Sequence, residues 1–138
     1  YMLSDIYSER WLGEDRGRQM VRLGSLERLG VPFALHSDCP MAPLDPLLLA
    51  QTAVQRITIN GNENAAADRI SVHAALRAIT IDAAWVMRRE NDIGSIRAGK
   101  KADFAVLDRD PYAVDGGKLG DIAVWGTVFE GKPYPATH

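Results

Sequence analysis

Residues 36–39 place a histidine, a serine, an aspartate and a cysteine side by side, directly after a short apolar run. These side chains can transfer protons, bind metals or act as nucleophiles. Asp38 is a candidate general base or metal ligand. The structural alternative is an Asx-type turn ahead of Pro40, in which the Asp38 carboxylate accepts hydrogen bonds from backbone N–H groups. The local sequence alone favours the turn.

The neighbours of Asp38 offer weaker candidates. As a metal ligand His36 would need partners, and neither His73 nor His138 lies at ligand spacing from it. A structural, hydrogen-bonded His36 is therefore the favoured interpretation. Cys39 lacks a recognisable supporting base, and the adjacent Asp38 disfavours a thiolate, so a nucleophilic role for Cys39 is disfavoured.

The elements around this cluster have the pattern of an α/β unit. The apolar spacing in residues 17–29 predicts a helix that ends near Leu29, with Gly30 as its C-terminal glycine. Residues 31–35 form a compact apolar run, which predicts a buried strand that starts at Pro32. Because ligands in α/β folds bind beyond the carboxyl ends of strands, residues 36–38 are placed where functional groups usually lie.

Further helices are predicted downstream. Asp45 and Pro46 suit the N-cap and first position of a helix over residues 46–56. Residues 60–64 are rich in Asn and Gly, which predicts a solvent loop and the most flexible stretch of the chain. Ser71 suits the N-cap of a helix pair broken near Thr80. Asp82 is the predicted cap of the second helix, which should bury Ala83, Trp85 and Val86.

The last third of the chain is predicted to be β-rich, with a boundary near Glu90. Residues 103–107 predict one strand, residues 122–125 and 127–129 predict two more, and residues 130–132 predict a turn. The glycines of residues 94–99 lack the spacing of phosphate-binding loops and indicate turns between strands.

Composition excludes several function classes. The chain has 138 residues, a formal net charge of -2 and a sequence pI of 5.9, so no basic surface for nucleic acid is expected. No apolar run approaches the roughly 20 residues that span a bilayer, and no signal peptide is recognised, which predicts no membrane partner and a cytoplasmic location. Cys39 is the single cysteine, so a disulfide framework or multi-cysteine zinc cluster is excluded.

Taken in order, several segments resemble metal-dependent amidohydrolases of the amidohydrolase 3 (YtcJ-like) family. The similarity covers essentially the whole chain. The segments that carry it are residues 33–40 (FALHSDCP), 43–47 (PLDPL), 53–56 (AVQR), 70–80 (ISVHAALRAIT), 83–84 (AA), 94–108 (GSIRAGKKADFAVLD), 110–111 (DP) and 124–131 (VWGTVFEG).

The resemblance implies an α/β fold followed by β structure. Residues 1–90 would be the C-terminal part of a (β/α) barrel, with its last strand and helices, and residues 91–138 the C-terminal strands of a composite β-sandwich domain. A closed barrel needs roughly 250 residues, so 138 residues can form only a part of one.

The resemblance also implies a site. The family aspartate that ends the eighth barrel strand lies at a divalent metal centre, with zinc the expected metal, and this role carries over to Asp38 as both catalytic residue and metal ligand. The family's other ligands lie upstream of this chain, which contains no His-x-His. A hydrolytic zinc site usually has about three protein ligands, so no metal is expected in this chain alone.

The chain is therefore interpreted as a fragment or truncated homologue of a metal-dependent hydrolase that acts on non-peptide carbon–nitrogen bonds of a small-molecule amide. The isolated chain is expected to be inactive. The alternative is a non-catalytic interaction or oligomerisation module built on the same scaffold.

We predict that the chain is a homo-oligomer. One or two barrel strands without their neighbours would expose unpaired backbone groups and apolar flanks, at Phe33, Leu35, residues 47–49, Val54, Leu76 and Ile79. A two-fold pairing or strand exchange would cover both. Sedimentation or light scattering at micromolar concentration measures this, and a well-folded species of 15.1 kDa would contradict it.

Overall fold

The computed structural model of the protein describes residues 2–136, which form a set of short helices followed by a small antiparallel sheet. A π-helical turn, Tyr7–Trp11, follows the first helix, and 3-10 segments lie at Ala66–Asp68 and Gly116–Asp121. The helices are α1 (Ser4–Ile6), α2 (Glu14–Gly17), α3 (Leu23–Arg28), α4 (Pro46–Gln55), α5 (Val72–Ala78) and α6 (Ile81–Val86). None of the helices in this described part is long and apolar enough to cross a membrane.

The sheet lies near the C-terminus and has the order β1-β2-β3, with both pairs antiparallel. Its strands are β1 (Phe104–Leu107), β2 (Val124–Phe129) and β3 (Lys132–Pro135). A two-residue turn at residues 130–131 joins β2 to β3. The register between β1 and β2 shifts between Val106 and Leu107, because β2 has one extra residue there, Trp125.

The core is centred on α4. Its buried face is formed by Leu47, Ala50 and Ala53, and the 3-10 segment Gly116–Asp121 packs on this helix through Leu119. The same cluster of buried residues includes Ile122. Residues from both sides of position 90 therefore share one core, and the predicted domain boundary there stays a prediction.

Local helix signals were predicted correctly where a cap defines the end. The Asp45 carboxylate accepts hydrogen bonds from the backbone N–H groups of Leu47 (3.0 Å) and Leu48 (3.1 Å), and α4 begins at Pro46. Ser71 caps α5 by accepting from the N–H of Ala74 (3.0 Å), and the chain breaks at Thr80 before α6. An N-cap of this kind contributes about 1 kcal/mol to stability.

The helix predicted over residues 17–29 is wrong in its first half. Helix α2 ends at Gly17, and α3 begins only at Leu23 and ends at Arg28, with Gly30 at a φ of 66°. Val21 has a φ of 50°, which a continuing helix does not allow. The carbonyl groups of Met20 and Val21 accept hydrogen bonds from the Arg56 side chain, which holds them outside any helix.

The buried strand predicted over residues 31–35 is also wrong. This segment has no strand partner within residues 2–136, and the backbone N–H of Leu35 donates to the carbonyl of Ala78 (3.2 Å) on α5. A strand requires a ladder of hydrogen bonds with a neighbour, and the described residues supply none here.

Two further predictions in the second half need correction. Asp82 lies inside α6 rather than at its N-cap, which is Thr80, and its carboxylate pairs with Arg77. The helix buries Ala84, whereas Trp85 and Val86 are exposed. The two strands predicted at residues 122–125 and 127–129 form one continuous strand, β2.

The residues proposed for the oligomer interface are not the exposed ones. Leu47 is buried, and the other residues of that set are partly buried. The apolar side chains that the fold leaves at least half exposed include Leu29, Trp85, Met87, Trp125 and Phe129. Apart from Leu47, the residues proposed for the interface are partly covered, and both the interface and the oligomeric state stay predictions.

The loop after α6 is held by a lysine and packs through a glycine. The Lys100 ammonium donates to the carbonyl groups of Glu90 and Ile93 and to the Ser95 hydroxyl. Gly94 has a φ of 82°, and a Cβ there would lie 2.6 Å from Ala84 Cβ. Gly99 has a similar φ of 89°, but a Cβ there would have nothing within 4 Å.

These two glycines give a matched test of packing. We predict that Gly94→Ala lowers the free energy of unfolding by about 1–3 kcal/mol more than Gly99→Ala. Both variants carry the same strain of a left-handed alanine, roughly 1–2 kcal/mol, and only the first also forces a side chain against α6. Urea denaturation measures both values, and equal losses would contradict the close packing of Gly94.

Candidate functional site

A cleft of about 340 Å³ lies between the N-terminal segment and one face of α4, and it contains the predicted site residues. The walls are mostly apolar, and Asp38 and Arg56 are the charged residues among those that line it. The lining residues are Met2, Leu3, Ser4, Tyr7, Met20, Val21, Leu23, Leu35, His36, Ser37, Asp38, Met41, Ala42, Leu49, Thr52, Ala53, Arg56, Ile57, Thr58 and Asn64.

Asp38 lies in a turn at the rim of this cleft. Its φ is 53°, a left-handed conformation that Asp adopts more readily than most residues, and its carbonyl accepts from the N–H of Met41 (2.7 Å). The residue is exposed, and its carboxylate forms no hydrogen bond with any part of residues 2–136. The Asx-type arrangement that the local sequence favoured is not formed, and the carboxylate is open to the cleft.

His36 has a structural hydrogen bond, as the sequence indicated. The backbone N–H of Asp38 donates to His36 Nδ1 (3.1 Å), so this ring nitrogen acts as an acceptor. His73 Nδ1 lies 2.9 Å from the Tyr112 hydroxyl and takes no part in the cleft. His138 lies outside the described residues. Cys39 is exposed, with no hydrogen bond among the described residues.

The cleft does not fit a metal ion by itself. No group of three or more His, Cys, Asp or Glu side chains within residues 2–136 is placed to hold one. Asp38 supplies a single carboxylate, and a hydrolytic zinc site usually needs about three protein ligands. The structure therefore places Asp38 at a cleft without gathering the further ligands around it.

Sequence reasoning missed a polar cluster that includes three residues of the cleft wall, Ser4, Thr58 and Asn64. The buried Asp5 carboxylate accepts hydrogen bonds from the Thr58 hydroxyl (2.8 Å) and from Asn60 Nδ2 (2.8 Å). The Asn64 amide donates to the hydroxyl groups of Ser4 and Ser8. These contacts tie Asn60 and Asn64 to the N-terminal segment. Residues 60–63 form an exposed loop, as predicted, and its flexibility stays a prediction.

Hydrogen bonding sets the charge state of Asp5. The bond from Asn60 is the main reason that the pKa of Asp5 lies below its ordinary value, and the Thr58 hydroxyl acts in the same direction. Burial alone would raise the pKa of Asp5, because it disfavours the charged form. The net lowering means that the fold stabilises an ionised carboxylate at this position.

Arg56 was also missed as a site residue, although it belongs to the segment that resembles the family. It follows α4 in a left-handed conformation, with a φ of 59°. Its guanidinium donates to three backbone carbonyl groups, those of Asn64 (3.2 Å), Val21 (3.2 Å) and Met20 (3.0 Å). Burial lowers the pKa of Arg56, and the negative charge of Asp68 partly offsets this effect.

Comparisons with known proteins identify the fold and then the family. The crystal structure of an amidohydrolase from Thermotoga maritima matches with a TM-score of 0.62, over 83% of this chain and 26% of that one, at 24% identity. This likeness concerns the fold: the helices and the small three-stranded antiparallel sheet correspond to part of an amidohydrolase structure.

Sequence comparisons also relate the chain to amidohydrolases. A model of the amidohydrolase family (amidohydrolase 3) matches residues 1–134, and the chain belongs to this family. The chain is 34% identical over 124 residues to the amidohydrolase-like protein YtcJ of Bacillus subtilis. It is also 34% identical over 122 residues to the N-substituted formamide deformylase of Arthrobacter pascens. Each alignment covers 88% of this chain but only 23% and 22% of the relatives, so the chain spans less than a quarter of their length.

The Asp5 cluster gives a pH-dependent prediction. Because the folded pKa of Asp5 is below the ordinary value of 3.8, its ionised form stabilises the fold above that value, and this stabilisation is lost as pH falls through the folded pKa. We predict that Asp5→Asn lowers the free energy of unfolding at pH 7, by about 1–2 kcal/mol, and that the difference from the wild type shrinks in acid.

Urea denaturation at several pH values between 7 and 2 measures this difference. Asp121→Asn is the control, since Asp121 is exposed and its carboxylate has no hydrogen bond among the described residues. A difference for Asp5→Asn that stays constant down to pH 2 would contradict the assigned role of the Asp5 charge.

Proposed function

We propose that this chain is the C-terminal part of a metal-dependent hydrolase that acts on carbon–nitrogen bonds other than peptide bonds. In this proposal, residues 1–90 complete a (β/α) barrel and residues 91–138 contribute strands to a composite β-sandwich domain. The family match over residues 1–134 supports it. The observation that supports a role for one residue is the exposed position of Asp38 at the rim of a cleft with mostly apolar walls.

Asp38 would act in this reaction by moving a proton. A carboxylate within hydrogen-bond reach of a water molecule can accept its proton as the water attacks the amide carbon. The same carboxylic acid can then donate that proton to the leaving nitrogen, so the carboxylate is regenerated. The exposed position of Asp38, with no hydrogen bond from the described residues, leaves both oxygens available for this exchange.

In the proposed enzyme, Asp38 also acts as one metal ligand, with zinc as the expected metal. The other ligands would come from residues outside this chain, since the described residues supply no cluster that fits an ion. We therefore propose that the chain is inactive by itself. The homo-oligomer and the cytoplasmic location stay predictions.

A small amide is the proposed substrate class. The name of one relative, N-substituted formamide deformylase, gives an N-substituted formamide as the substrate of that protein. The apolar walls of the cleft in this chain, among them Leu35, Leu49 and Ile57, suit the organic substituent of such a compound.

A non-catalytic interaction or oligomerisation module is the second candidate. The exposed aromatic side chains of Trp85, Trp125 and Phe129 favour it, because exposed apolar groups often mark interfaces. The encoding gene separates the two candidates. A reading frame that continues upstream through a strand and a His-x-His supports the hydrolase, whereas a frame without these residues supports the module.

The main test replaces Asp38 in the intact parent enzyme. We predict that Asp38→Asn lowers turnover by at least about a hundredfold without unfolding the protein, because the amide cannot accept the proton. Cys39→Ser is the control at the adjacent position, and we expect it to keep near-normal turnover. Near-normal turnover of Asp38→Asn with metal bound would exclude the proposed role of Asp38, and a large loss for Cys39→Ser would point to the thiol instead.

A second test concerns this chain alone. We predict that the purified 138-residue chain holds no stoichiometric zinc after dialysis and does not hydrolyse formamides, because its single site carboxylate is too few ligands. Elemental analysis and an amine-release assay measure both properties. One tightly bound zinc per chain would contradict the prediction and would direct attention to ligands shared between copies, with His36 and His73 examined first.

A further inference from the structure

The cleft that contains Asp38 also contains a half-buried cation and an amide oxygen without a hydrogen-bond partner among the described residues. Arg56 and Asn64 are joined by two hydrogen bonds: the backbone N–H of Asn64 donates to the Arg56 carbonyl (2.9 Å), and Arg56 Nε donates to the Asn64 carbonyl (3.2 Å). Both residues line the cleft. The two residues are therefore neighbours that line one cavity.

The Arg56 guanidinium has two N–H groups that form no hydrogen bond among the described residues. Its contacts with the three backbone carbonyl groups use three of the five N–H groups of a guanidinium. Arg56 forms no ion pair with any carboxylate in residues 2–136. Two nearby carboxylates are engaged elsewhere: Asp5 accepts from Thr58 and Asn60, and Asp68 accepts from Ser25 and lies near Arg28.

Asn64 is only 8% exposed, and its Oδ1 atom has no hydrogen-bond partner among the described residues. The two partners of its Nδ2 atom are the hydroxyl groups of Ser4 and Ser8, and a hydroxyl can either donate or accept. A half-turn of the amide therefore keeps both bonds and presents the NH₂ group in place of the oxygen. Buried polar groups of this kind normally have a partner, and here a bound molecule can supply it.

We propose that Arg56 and Asn64 bind a carboxylate group at the end of the substrate that is distant from the amide. The guanidinium would donate its two remaining N–H groups to the carboxylate, and the turned Asn64 amide would donate a third hydrogen bond. This inference rests on the proposed function only in assigning the carboxylate to a substrate. Binding of the carboxylate itself needs no turnover.

Helix α4 sets the length of such a substrate. The residues of α4 and its C-cap that line the cleft are Leu49, Thr52, Ala53 and Arg56, which follow the spacing of one helix face. Seven residues of α-helix rise about 10 Å, so the carboxylate site lies roughly that far along the helix from Leu49. The walls between are apolar, which favours a ligand with an apolar chain and one anionic end.

The experiment titrates this 138-residue chain with hexanoate, hexanamide and inorganic phosphate, and follows the backbone amide resonances of residues 56–64 by NMR. We expect hexanoate to shift these resonances with a dissociation constant in the millimolar range, because it is a small ligand. Hexanamide should bind at least about tenfold more weakly, because it lacks the charge. Phosphate, which has charge but no apolar chain, should also bind at least about tenfold more weakly.

Variants locate the site. Arg56→Met and the isosteric Asn64→Asp should each weaken hexanoate binding at least about tenfold, since the first removes the cation and the second adds a negative charge. Arg97→Met, at an exposed position whose side chain forms no hydrogen bond among the described residues, is the control and should leave binding unchanged.

Several results would overturn the proposal. The first is that hexanamide or phosphate binds as tightly as hexanoate. The second is that hexanoate shifts none of the resonances. The third is that Asn64→Asp binds hexanoate as tightly as the unaltered chain does. The comparison among ligands uses the unaltered chain, so it holds even if Arg56→Met fails to fold. Because no step requires catalysis, failure of the Asp38 test in the parent enzyme leaves this result unaffected, and failure here leaves the role of Asp38 unaffected.

Discussion

The close packing of the 3-10 segment Gly116–Asp121 against α4 is the contact on which the rest of the described chain depends. Small side chains on the buried face, Ala50 and Ala53, allow this approach, and Leu119 fills the space between the two elements with no exposed surface. The N–H of Gly120 donates to Gln51 Oε1 (2.8 Å), which fixes the position of the segment along the helix. This segment joins β1 to β2, so its contact with α4 also helps to position the sheet.

The same helix positions both ends of the cleft. Its N-terminus is fixed by the Asp45 carboxylate a few residues after the turn that carries Asp38. Its C-cap is Arg56, in a left-handed conformation, and the Arg56 side chain donates hydrogen bonds to the backbone carbonyl groups of Met20 and Val21. A regular helix is a stiff element of defined length, so it fixes the distance between the Asp45 cap and Arg56. A cleft that contains one anionic and one cationic residue between mostly apolar walls can orient an unsymmetrical ligand.

Part of this architecture could be predicted from the sequence because its causes are local. The caps at Asp45 and Ser71 act over two or three residues, so their signals are complete within a short window. The strand predicted over residues 31–35 failed because a strand depends on a neighbour that the window cannot show. The residues around the cleft were harder to predict, because their contacts are distant in sequence. Asp5 contacts Thr58, 53 positions away, and Arg56 contacts Met20, 36 positions away. Asp38 was found through a family resemblance, whereas residues that act through distant contacts have no local pattern to reveal them.

The prolines of β3 determine at which edge the sheet can pair with a further strand. The N–H of Ala136 donates to the carbonyl of Trp125 (2.8 Å), and hydrogen-bonded pairs alternate along an antiparallel ladder. The backbone nitrogens of Pro133 and Pro135 therefore face the outer edge, where a proline has no hydrogen to donate. A further strand cannot add on that side with a normal ladder, whereas no proline blocks the outer edge of β1. Any extension of this sheet, whether by another part of a longer protein or by unwanted aggregation, must begin at β1.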